Sequence, residues 1–453
     1  MLAPPSRPGL PGAVLLALVL GACASPPEAF HTRQRAWLQE ERSRSRSAEQ
    51  PLPEAPVTAD LLRLAEARNP EVQAAFESWR SALERTLSAG VLPDPRLGLT
   101  FYLQEVETRV GPMQARASLT QAFPWFGTLE ARSEAAFAAS EAARELLEQK
   151  RLDVRQQVLD AWYEYNWLHQ AILVTEGHLE LLAHLESVAR TLYETGQGLH
   201  ADLIRAQVEL GRLEDRLRTL KDLRRPLAAR LNAALDRPAG LPIPWPQEEL
   251  PEPAAEALQG PAEPIETTSP ELRALQHRIH AAEAGITLAE KAFWPDLAFG
   301  LDYTFIGDAR TAGVPGSGDD ALGVSFGMDL PIYRNRLESD LAGAEAEARA
   351  AEAALAGSRN RLLAALEMAL YEARDGHRRV QLFRGNLVPK GEESFRSALT
   401  AYQAGEASFD TVVDAERILL EFQLAAIRAA ADRAQALARA ERITGTPLLH
   451  VRP

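Results

Sequence analysis

The sequence predicts a mainly α-helical fold with a small β part, built twice within one chain. Three observations predict it. Residues 128–195 contain no proline and a single glycine, which allows one very long helix. Four short segments alternate apolar and polar residues, as strands with one apolar face do. Landmarks of the first half recur in the same order about 200 residues later, which indicates a duplication.

The N-terminus reads as an export signal. Arg7 supplies positive charge, and residues 13–20 form an apolar run too short to cross a bilayer as a helix. Residues 20–23, Leu-Gly-Ala-Cys, resemble the bacterial lipobox, and Cys23 is the only cysteine among 453 residues. We therefore expect a signal peptide at 1–22 and a lipidated Cys23 at the mature N-terminus, followed by a lipid-anchored linker at 23–56. The alternative is a chance cysteine behind an ordinary signal peptide.

Composition excludes several classes of function. The formal net charge of −14 disfavours a protein that binds nucleic acid through its phosphates. A single cysteine excludes an internal disulfide framework and a cysteine-based zinc site. The hydrophobic content of 46% is ordinary for a folded chain.

The duplication sets the predicted domains. Asn69-Pro70 is echoed by Ser269-Pro270, and Tyr193 with Gly196 is echoed by Tyr402 with Gly405. The expected units are a first repeat at 57–236, a proline-rich non-helical linker at 237–268, a second repeat at 269–446 and a tail at 447–453. The first repeat is expected to hold a helix, strands near 96–104 and 114–123, a long helix near 126–195 and a helix near 199–235. The second is expected to hold a helix, strands near 296–305 and 321–330, a long helix near 333–404 that Pro389 and several glycines interrupt, and a helix near 408–444.

The strands carry the first indication of a membrane. Their alternation persists over about nine residues, the length of a membrane-crossing strand. Four strands cannot close a barrel, since the smallest bacterial barrels have about eight. The chain is then expected to pool its strands with further copies of itself. The alternative is a pair of ordinary half-buried hairpins in a soluble domain.

The long helices limit the architecture. Residues 128–195 span about 100 Å as a helix, and apolar residues recur at heptad spacing in both copies. Helices of this length must lie side by side, as a coiled coil or as the staves of a tube. Each long helix is expected to end at a left-handed glycine, Gly196 or Gly405, and Asp202 and Ser408 are expected to cap the helices that follow.

With these elements in order, the chain resembles the TolC family of outer-membrane efflux channels over nearly all of its mature length. The duplicated helix, hairpin, long helix and helix is that family's layout. The segment Gln-Ala-Phe-Pro-Trp-Phe-Gly at 121–127 is similar to the strand-to-helix junction of the branch that includes copper/silver and cobalt–zinc–cadmium efflux lipoproteins. The expected junction residues are Pro124, at a first helical position, Trp125 and Phe126 at the membrane–water boundary, Gly127, and Pro331 in the second copy. The alternative for the aromatic residues is that they cap a core.

The resemblance implies a fold and a set of partners. It implies a homotrimer with a twelve-stranded β-barrel in the outer membrane of a Gram-negative bacterium, anchored by lipid and continued by a twelve-helix α-barrel in the periplasm. The function implied is a passive exit duct, neither an enzyme nor a cofactor binder. Its implied partners are outer-membrane lipid, a periplasmic adaptor (membrane fusion) protein and an inner-membrane efflux pump of RND type. The exported substrate stays open, and heavy-metal cations are one candidate.

The resemblance also gives the glycine turns a role, as the periplasmic tip that contacts the adaptor. The expected contact residues are Gly196, Gln197, Gly198, Gly405 and Glu406. The expected tunnel constriction is formed by Asp410, Asp414 and Asp202. Asp414 matches one acid of the family's constricting ring, whereas the position of its partner is Thr411, so Asp410 is expected to substitute. The alternative for Asp410 and Asp414 is helix capping and solvated surface.

No residue pattern points to catalysis. His277 and His280 lie three residues apart on a helix with no third ligand beside them, so they are expected on the surface and no metal site is predicted. There is no phosphate-binding loop and no nucleophile elbow in the sequence. Two competing interpretations are a periplasmic adaptor and a coiled-coil structural lipoprotein that tethers envelope layers. The duplicated strand pairs argue against both.

Overall fold

The computed structural model describes residues 28–49, 51–261 and 263–448. The predicted signal peptide, the lipidation site Cys23 and the end of the C-terminal tail lie outside these residues. No helix within the described ranges is both long and apolar enough to cross a membrane.

Ten α-helices and four strands follow one another along the described chain. The helices α1 to α10 run over Glu28–Glu49, Thr58–Arg68, Pro70–Ala89, Thr128–Glu194, His200–Ala234, Ile265–Thr268, Pro270–Lys291, Arg334–Leu382, Val388–Gln403 and Phe409–Thr444. The strands β1 to β4 run over Arg96–Thr108, Gly111–Phe123, Leu297–Ile306 and Ala321–Met328. The predicted fold class, mainly helical with a small sheet, is confirmed.

The four strands form one antiparallel sheet in the order β1-β2-β3-β4. One face of the sheet is apolar, and the other carries polar residues and glycines. Leu119 of β2 lies opposite Leu97 of β1 and Leu301 of β3, whereas its neighbour Ser118 lies opposite Gly98 and Asp302. β1 extends beyond the predicted end near 104, through an irregularity in register between Phe101 and Val106.

The second long helix, expected near 333–404 with an interruption at Pro389, is divided in the structure. α8 ends at Leu382, a π-helical turn occupies Phe383–Leu387, and α9 begins at Val388. Pro389 lies in the first turn of α9 and has no amide hydrogen to donate to the preceding turn, so the regular hydrogen-bond ladder cannot pass through this point.

A short break precedes a proline near the start of each copy. α2 ends at Arg68 and α3 begins at Pro70. In the same way, α6 at the end of the linker stops at Thr268 and α7 of the second copy begins at Pro270. The proline at each start is compatible with a first helical position but not with the interior of a continuous helix. Asn69 bridges the first break, because its side-chain oxygen accepts a hydrogen bond from the amide of Glu71 at 2.9 Å.

The sequence predicts a proline-rich linker without helix, but the linker contains short helical turns. It also packs against the rest of the protein. It contains a 3₁₀ turn at Ala255–Leu258 and the short helix α6. We call residues 237–254 the strap. Trp245 of the strap stacks on Tyr165 and His169 of α4, at ring-centroid distances of 4.7 and 4.8 Å, and the guanidinium of Arg224 lies 4.2 Å from its centroid.

The described residues divide into two units. The sheet unit contains residues 28–37, 78–143 and 274–355, and the helical unit contains 38–49, 51–77, 144–261, 263–273 and 356–448. The core of the helical unit draws on helices of both copies. Leu185 of α4, Ala206 of α5 and Phe409 and Val412 of α10 are at most 1% exposed in one apolar cluster.

Candidate functional site

Two equivalent glycine turns end the long helices in the helical unit. Gly196 follows α4 with a φ of +73°, and Gly405 follows α9 with a φ of +76°. The amide of Gln197 donates to the carbonyl of Leu192 at 2.8 Å, and the amide of Glu406 donates to that of Ala401 at 2.8 Å. Both turns therefore close in the same way on the last helical carbonyls. We call them the tip turns.

The tip turns present backbone and polar groups to solvent. Gly196, Gln197, Gly405 and Glu406 are all exposed. Gly198 is half-buried, and a side chain there would be crowded, since a Cβ would lie 2.9 Å from the Cβ of Leu192. The predicted contact residues thus lie on two turns of similar geometry, open on their outer sides.

Each acid predicted to line a constriction has a partner close to the tip turns. Asp202 of α5 lies 3.5 Å from the hydroxyl of Tyr402, which donates to it. Asp410 of α10 pairs with Arg205 of α5. Asp414 lies 3.6 Å from Arg417, whose guanidinium also pairs with Glu209 of α5.

These contacts join the first copy to the second. Tyr402 and Arg417 belong to the second copy, whereas their partners Asp202 and Glu209 belong to the first. Burial, and then the negative charge of Asp202, raise the pKa of Tyr402 to about 12, so its hydroxyl keeps the proton it donates. The hydrogen bond to Glu209 raises the pKa of Arg417.

The predicted capping roles are wrong. α5 begins at His200 behind Leu199, so Asp202 lies within the first turn, and no side chain caps this helix. Ser408 does occupy the residue before α10, yet its hydroxyl lies 3.1 Å from that of Thr411 and does not cap the backbone. A carboxylate in the first turn still interacts favourably with the helix dipole.

A buried polar contact lies among the same helices. His178 of α4 has one ring nitrogen 2.6 Å from Glu416 and the other 3.0 Å from Gln423, both on α10. The side chains of His178 and Glu416 are only 6% and 3% exposed. Because an unpaired polar group would be unfavourable there, this contact fixes how α4 and α10 face each other.

Sequence reasoning misses Arg205, Arg417 and His178. One signal is present for the first. Gly196 and Gly405 are 209 residues apart, and the same offset places Arg205 of one copy at the position of Asp414 in the other. Opposite charges at equivalent positions of two packed repeats indicate that Arg205 pairs with an acid of the second repeat, although the acid it contacts is Asp410 and not Asp414. His178 has no such signal, because its partners lie more than 230 residues away.

The strand-to-helix junction lies in the sheet unit. Trp125 stacks on Trp294 with ring centroids 5.1 Å apart and planes within 8°, and its amide donates to Asp296 at 2.8 Å. Phe126 lies beside Trp125 and is 76% exposed. The aromatic rings therefore lie on the surface where the strands meet the helices.

The predicted helical position of Pro124 is wrong. α4 begins at Thr128, and residues 125–128 form a turn in which the amide of Thr128 donates to the carbonyl of Trp125 at 3.0 Å. Gly127 takes a φ of +82° to complete the turn. Pro331 likewise precedes α8, which starts at Arg334.

The paired histidines give no metal centre. The side chain of His280 is 67% exposed, with a ring nitrogen 3.2 Å from Glu283. His277 lines a groove of about 460 Å³ with residues of α4. In the part of the chain that the structure describes, no group of three or more potential ligands is arranged to hold a metal ion.

Comparison with known proteins shows which family and which solved fold this chain resembles. A family model described as "Outer membrane efflux protein" matches residues 61–236 and 265–446. The cobalt-zinc-cadmium resistance protein CzcC of Cupriavidus metallidurans is 24% identical over 396 residues, covering 86% of this chain and 90% of that protein. The pyoverdine export outer membrane protein OpmQ of Pseudomonas putida is 23% identical over 446 residues, covering 90% and 91%. The crystal structure of VceC, an outer membrane protein of Vibrio cholerae, superposes with a TM-score of 0.71 at 19% identity, over 86% of this chain and 96% of that chain, and shows the same fold.

Proposed function

The chain belongs to the outer membrane efflux protein family, and from this premise we propose that it is the exit duct of a tripartite efflux system. Proteins of this family are passive channels of the outer membrane, so the prediction that the chain is not an enzyme is confirmed. In the proposed system an inner-membrane pump of RND type and a periplasmic adaptor deliver the substrate. The duct conducts it across the periplasm and the outer membrane with no energy source of its own.

The observation that carries the proposal is the exposed apolar face of the sheet. Leu99, Val324 and Phe326 are 63%, 76% and 60% exposed, and they share one face that continues across the strands. An apolar surface of this kind needs lipid or another chain to cover it. β1 and β4 are the outermost strands of the described sheet, and three copies joined there would supply twelve strands. This supports a homotrimer that shares one barrel.

We assign the tip turns to the adaptor. Their exposed glycines and polar side chains offer two similar docking points in each protomer. The contacts of Asp202 with Tyr402 and of Asp410 with Arg205 hold the ends of the two copies together. An adaptor that binds better to separated ends would shift the duct towards an open state. The family model matches the chain in two segments, which supports the proposed repeats at 57–236 and 269–446.

The position of α1 supports a lipid anchor on Cys23. Arg33 pairs with Glu141 of α4 at 2.6 Å, and Glu40 pairs with Arg151, so the two helices run in the same direction. Glu141 lies about 20 Å along α4 from its start at the strands. The residues between Cys23 and Glu28 reach up to about 17 Å, in addition to about 7 Å of α1, so an anchor at Cys23 can reach the strand level.

For the substrate we propose heavy-metal cations. The support is the relative that is named for cobalt, zinc and cadmium resistance. A duct conducts ions without holding them at ligands, so the proposal requires no metal site. The second relative is named for pyoverdine export, which makes an organic substrate the alternative. Growth of a deletion strain on cobalt, zinc or cadmium salts, compared with growth on organic toxicants, separates the two.

Electron microscopy of protein extracted from outer membranes tests the duct itself. We expect threefold tubes on the order of 130 Å long that stay in the membrane fraction until detergent is added. Monomers or two-stranded rods that wash off without detergent would overturn the duct and favour the tether. A Cys23→Ser variant in the same preparation tests the anchor, since only the wild type should carry acyl chains by mass spectrometry.

A further inference from the structure

An ion pair lies on the face of the sheet opposite the apolar one. Arg116 of β2 donates through Nη2 to Oδ1 of Asp302 of β3 at 2.8 Å, and its Nε lies 3.3 Å from the same oxygen. Arg116 is opposite Thr304 in the register, and Asp302 is opposite Ser118, so the pair links the strands diagonally. Both residues lie well inside their strands.

The surroundings of this pair are small and uncharged. Within residues 97–101, 115–123, 297–305 and 321–328, the central part of the described sheet, Arg116 and Asp302 are the only charged side chains. Arg96, opposite Thr120 at the start of β1, lies on the same face just before this part. The neighbours of the pair on this face include Gly98, Gly300 and Gly323. A Cβ on Gly98 would lie 2.6 Å from the hydroxyl of Ser118, so little more than backbone fits there.

The pair is arranged so that the guanidinium covers the carboxylate. The side chain of Arg116 is 47% exposed, whereas that of Asp302 is 14% exposed. Removing the guanidinium would uncover a carboxylate on a face that carries no other fixed charge in that part of the sheet. Fixed charges that line a narrow pore concentrate ions of opposite sign and repel ions of the same sign.

We propose that the Arg116–Asp302 pair keeps the membrane-spanning part of the duct electrically neutral, so that this part passes small cations and anions with little discrimination. The proposal rests on the proposed function, because it places the polar face of the sheet towards the lumen of a shared barrel. In a trimer each carboxylate is compensated by the guanidinium of its own protomer. The pair therefore sets ion selectivity by cancelling charge.

Charge-selective conductance of the purified protein in planar lipid bilayers tests this. Under a KCl gradient, Arg116→Gln should shift the permeability ratio severalfold towards K⁺, and Asp302→Asn should shift it severalfold towards Cl⁻. The double variant should return close to the wild-type ratio. Each shift should shrink as the salt concentration rises, because the charges become screened.

Chemical rescue gives a second measurement that does not rely on comparing folded variants. In Arg116→Cys, a positively charged methanethiosulfonate reagent should restore the wild-type ratio, whereas a negatively charged one should increase the preference for K⁺. Wild-type protein treated with both reagents is the control for Cys23, the one native cysteine.

The outcomes separate the two proposals. Channels that conduct but keep the wild-type ratio in both single variants would overturn the neutral pair and leave the duct intact. Single variants that shift in the same direction would also overturn it. If neither the wild type nor any variant conducts, the proposed duct fails and this inference fails with it.

Discussion

At the residue scale, the left-handed glycines of the tip turns differ from the glycines inside helices. Gly196 and Gly405 have open space where a Cβ would go, so only their positive φ opposes a side chain. We expect Gly196→Ala and Gly405→Ala each to lower the free energy of unfolding by about 1–2 kcal/mol. Chemical denaturation of the detergent-solubilised protein, followed by circular dichroism, measures this.

Gly211 is the matched control. It lies inside α5, is exposed and also has open space around its Cβ position. Alanine fits a helix interior better, so Gly211→Ala should raise the free energy of unfolding by about 0.5–1 kcal/mol. The same sign for Gly196→Ala and Gly211→Ala would contradict the assignment of strain to the tip turn.

His169 makes the stability of the helical unit depend on pH. Burial, against Trp245, lowers the pKa of His169 from its ordinary value of 6.5, and the nearby Arg224 lowers it further. The folded state therefore binds this proton less tightly than the unfolded state. The contribution of His169 to stability should be complete above pH 6.5 and should be lost as the pH drops through 6.5 towards the lower, folded pKa.

Thermal melts between neutral and mildly acidic pH measure this dependence. His169→Asn should flatten the pH profile, because the substituted residue takes up no proton. His184, which is exposed on the same helix, is the control. A profile that His184→Asn flattens as much as His169→Asn would contradict the role of His169.

Two causes explain the residues that reasoning from sequence places wrongly. Ser408 is correctly predicted to lie next to a helix start, because glycine turns and helix starts are local signals. What its hydroxyl contacts is not predictable, and neither is the pairing of Asp202 with Tyr402, because these depend on side chains brought together by packing. Pro124 is predicted wrongly because a proline before a helix is compatible with several turns.

At the element scale, the strap is the feature with the clearest energetic consequence. Two aromatic stacks and one cation–π contact hold Trp245, and together they contribute about 2–4 kcal/mol. We expect Trp245→Ala to release the strap and to speed its cleavage in limited proteolysis. Leu241→Ala is the control, because Leu241 belongs to the same strap and is 41% exposed. Equal cleavage rates in the two variants would show that Trp245 does not hold the strap.

Elements with local periodicity are predictable from the sequence, and elements defined by tertiary contacts are not. The alternation of apolar residues in β2 and the proline-free stretch of α4 are enough to indicate a strand and a long helix. The packing of the strap has no such signal. Its proline content shows that the segment cannot form a long helix, but it does not show which residues the segment contacts. Pro389 indicates an interruption of the second long helix, but the position of a proline does not predict that a π-helical turn at Phe383–Leu387 precedes it.

At the scale of the whole molecule, the contacts between the two repeats near the tip turns should set how readily the proposed duct opens. Tyr402 bonds to Asp202, and Arg417 pairs with Glu209, each linking the two copies. We expect Tyr402→Phe with Arg417→Ala to raise single-channel conductance in planar bilayers, because both links are lost. Arg190→Ala is the control, since Arg190 pairs with Glu186 of its own helix, α4. Conductance unchanged from that control would contradict a closed tip held by these links.

The two faces of the sheet should respond in opposite ways to the same charge, because the proposed assembly places one face in lipid and the other towards the lumen. Val324 and Ser325 are neighbours in β4 on opposite faces, the first opposite Leu301 and the second opposite Gly300. Arginine on a lipid-facing strand position costs about 2–4 kcal/mol near the bilayer midplane. Val324→Arg should therefore remove most of the trimer from the outer membrane fraction, whereas Ser325→Arg should leave its amount near that of the wild type. Heat-stable trimer on unboiled gels of isolated outer membranes measures both. If both variants assembled equally well, the apolar face would not contact lipid, and the sheet would have to be covered by protein.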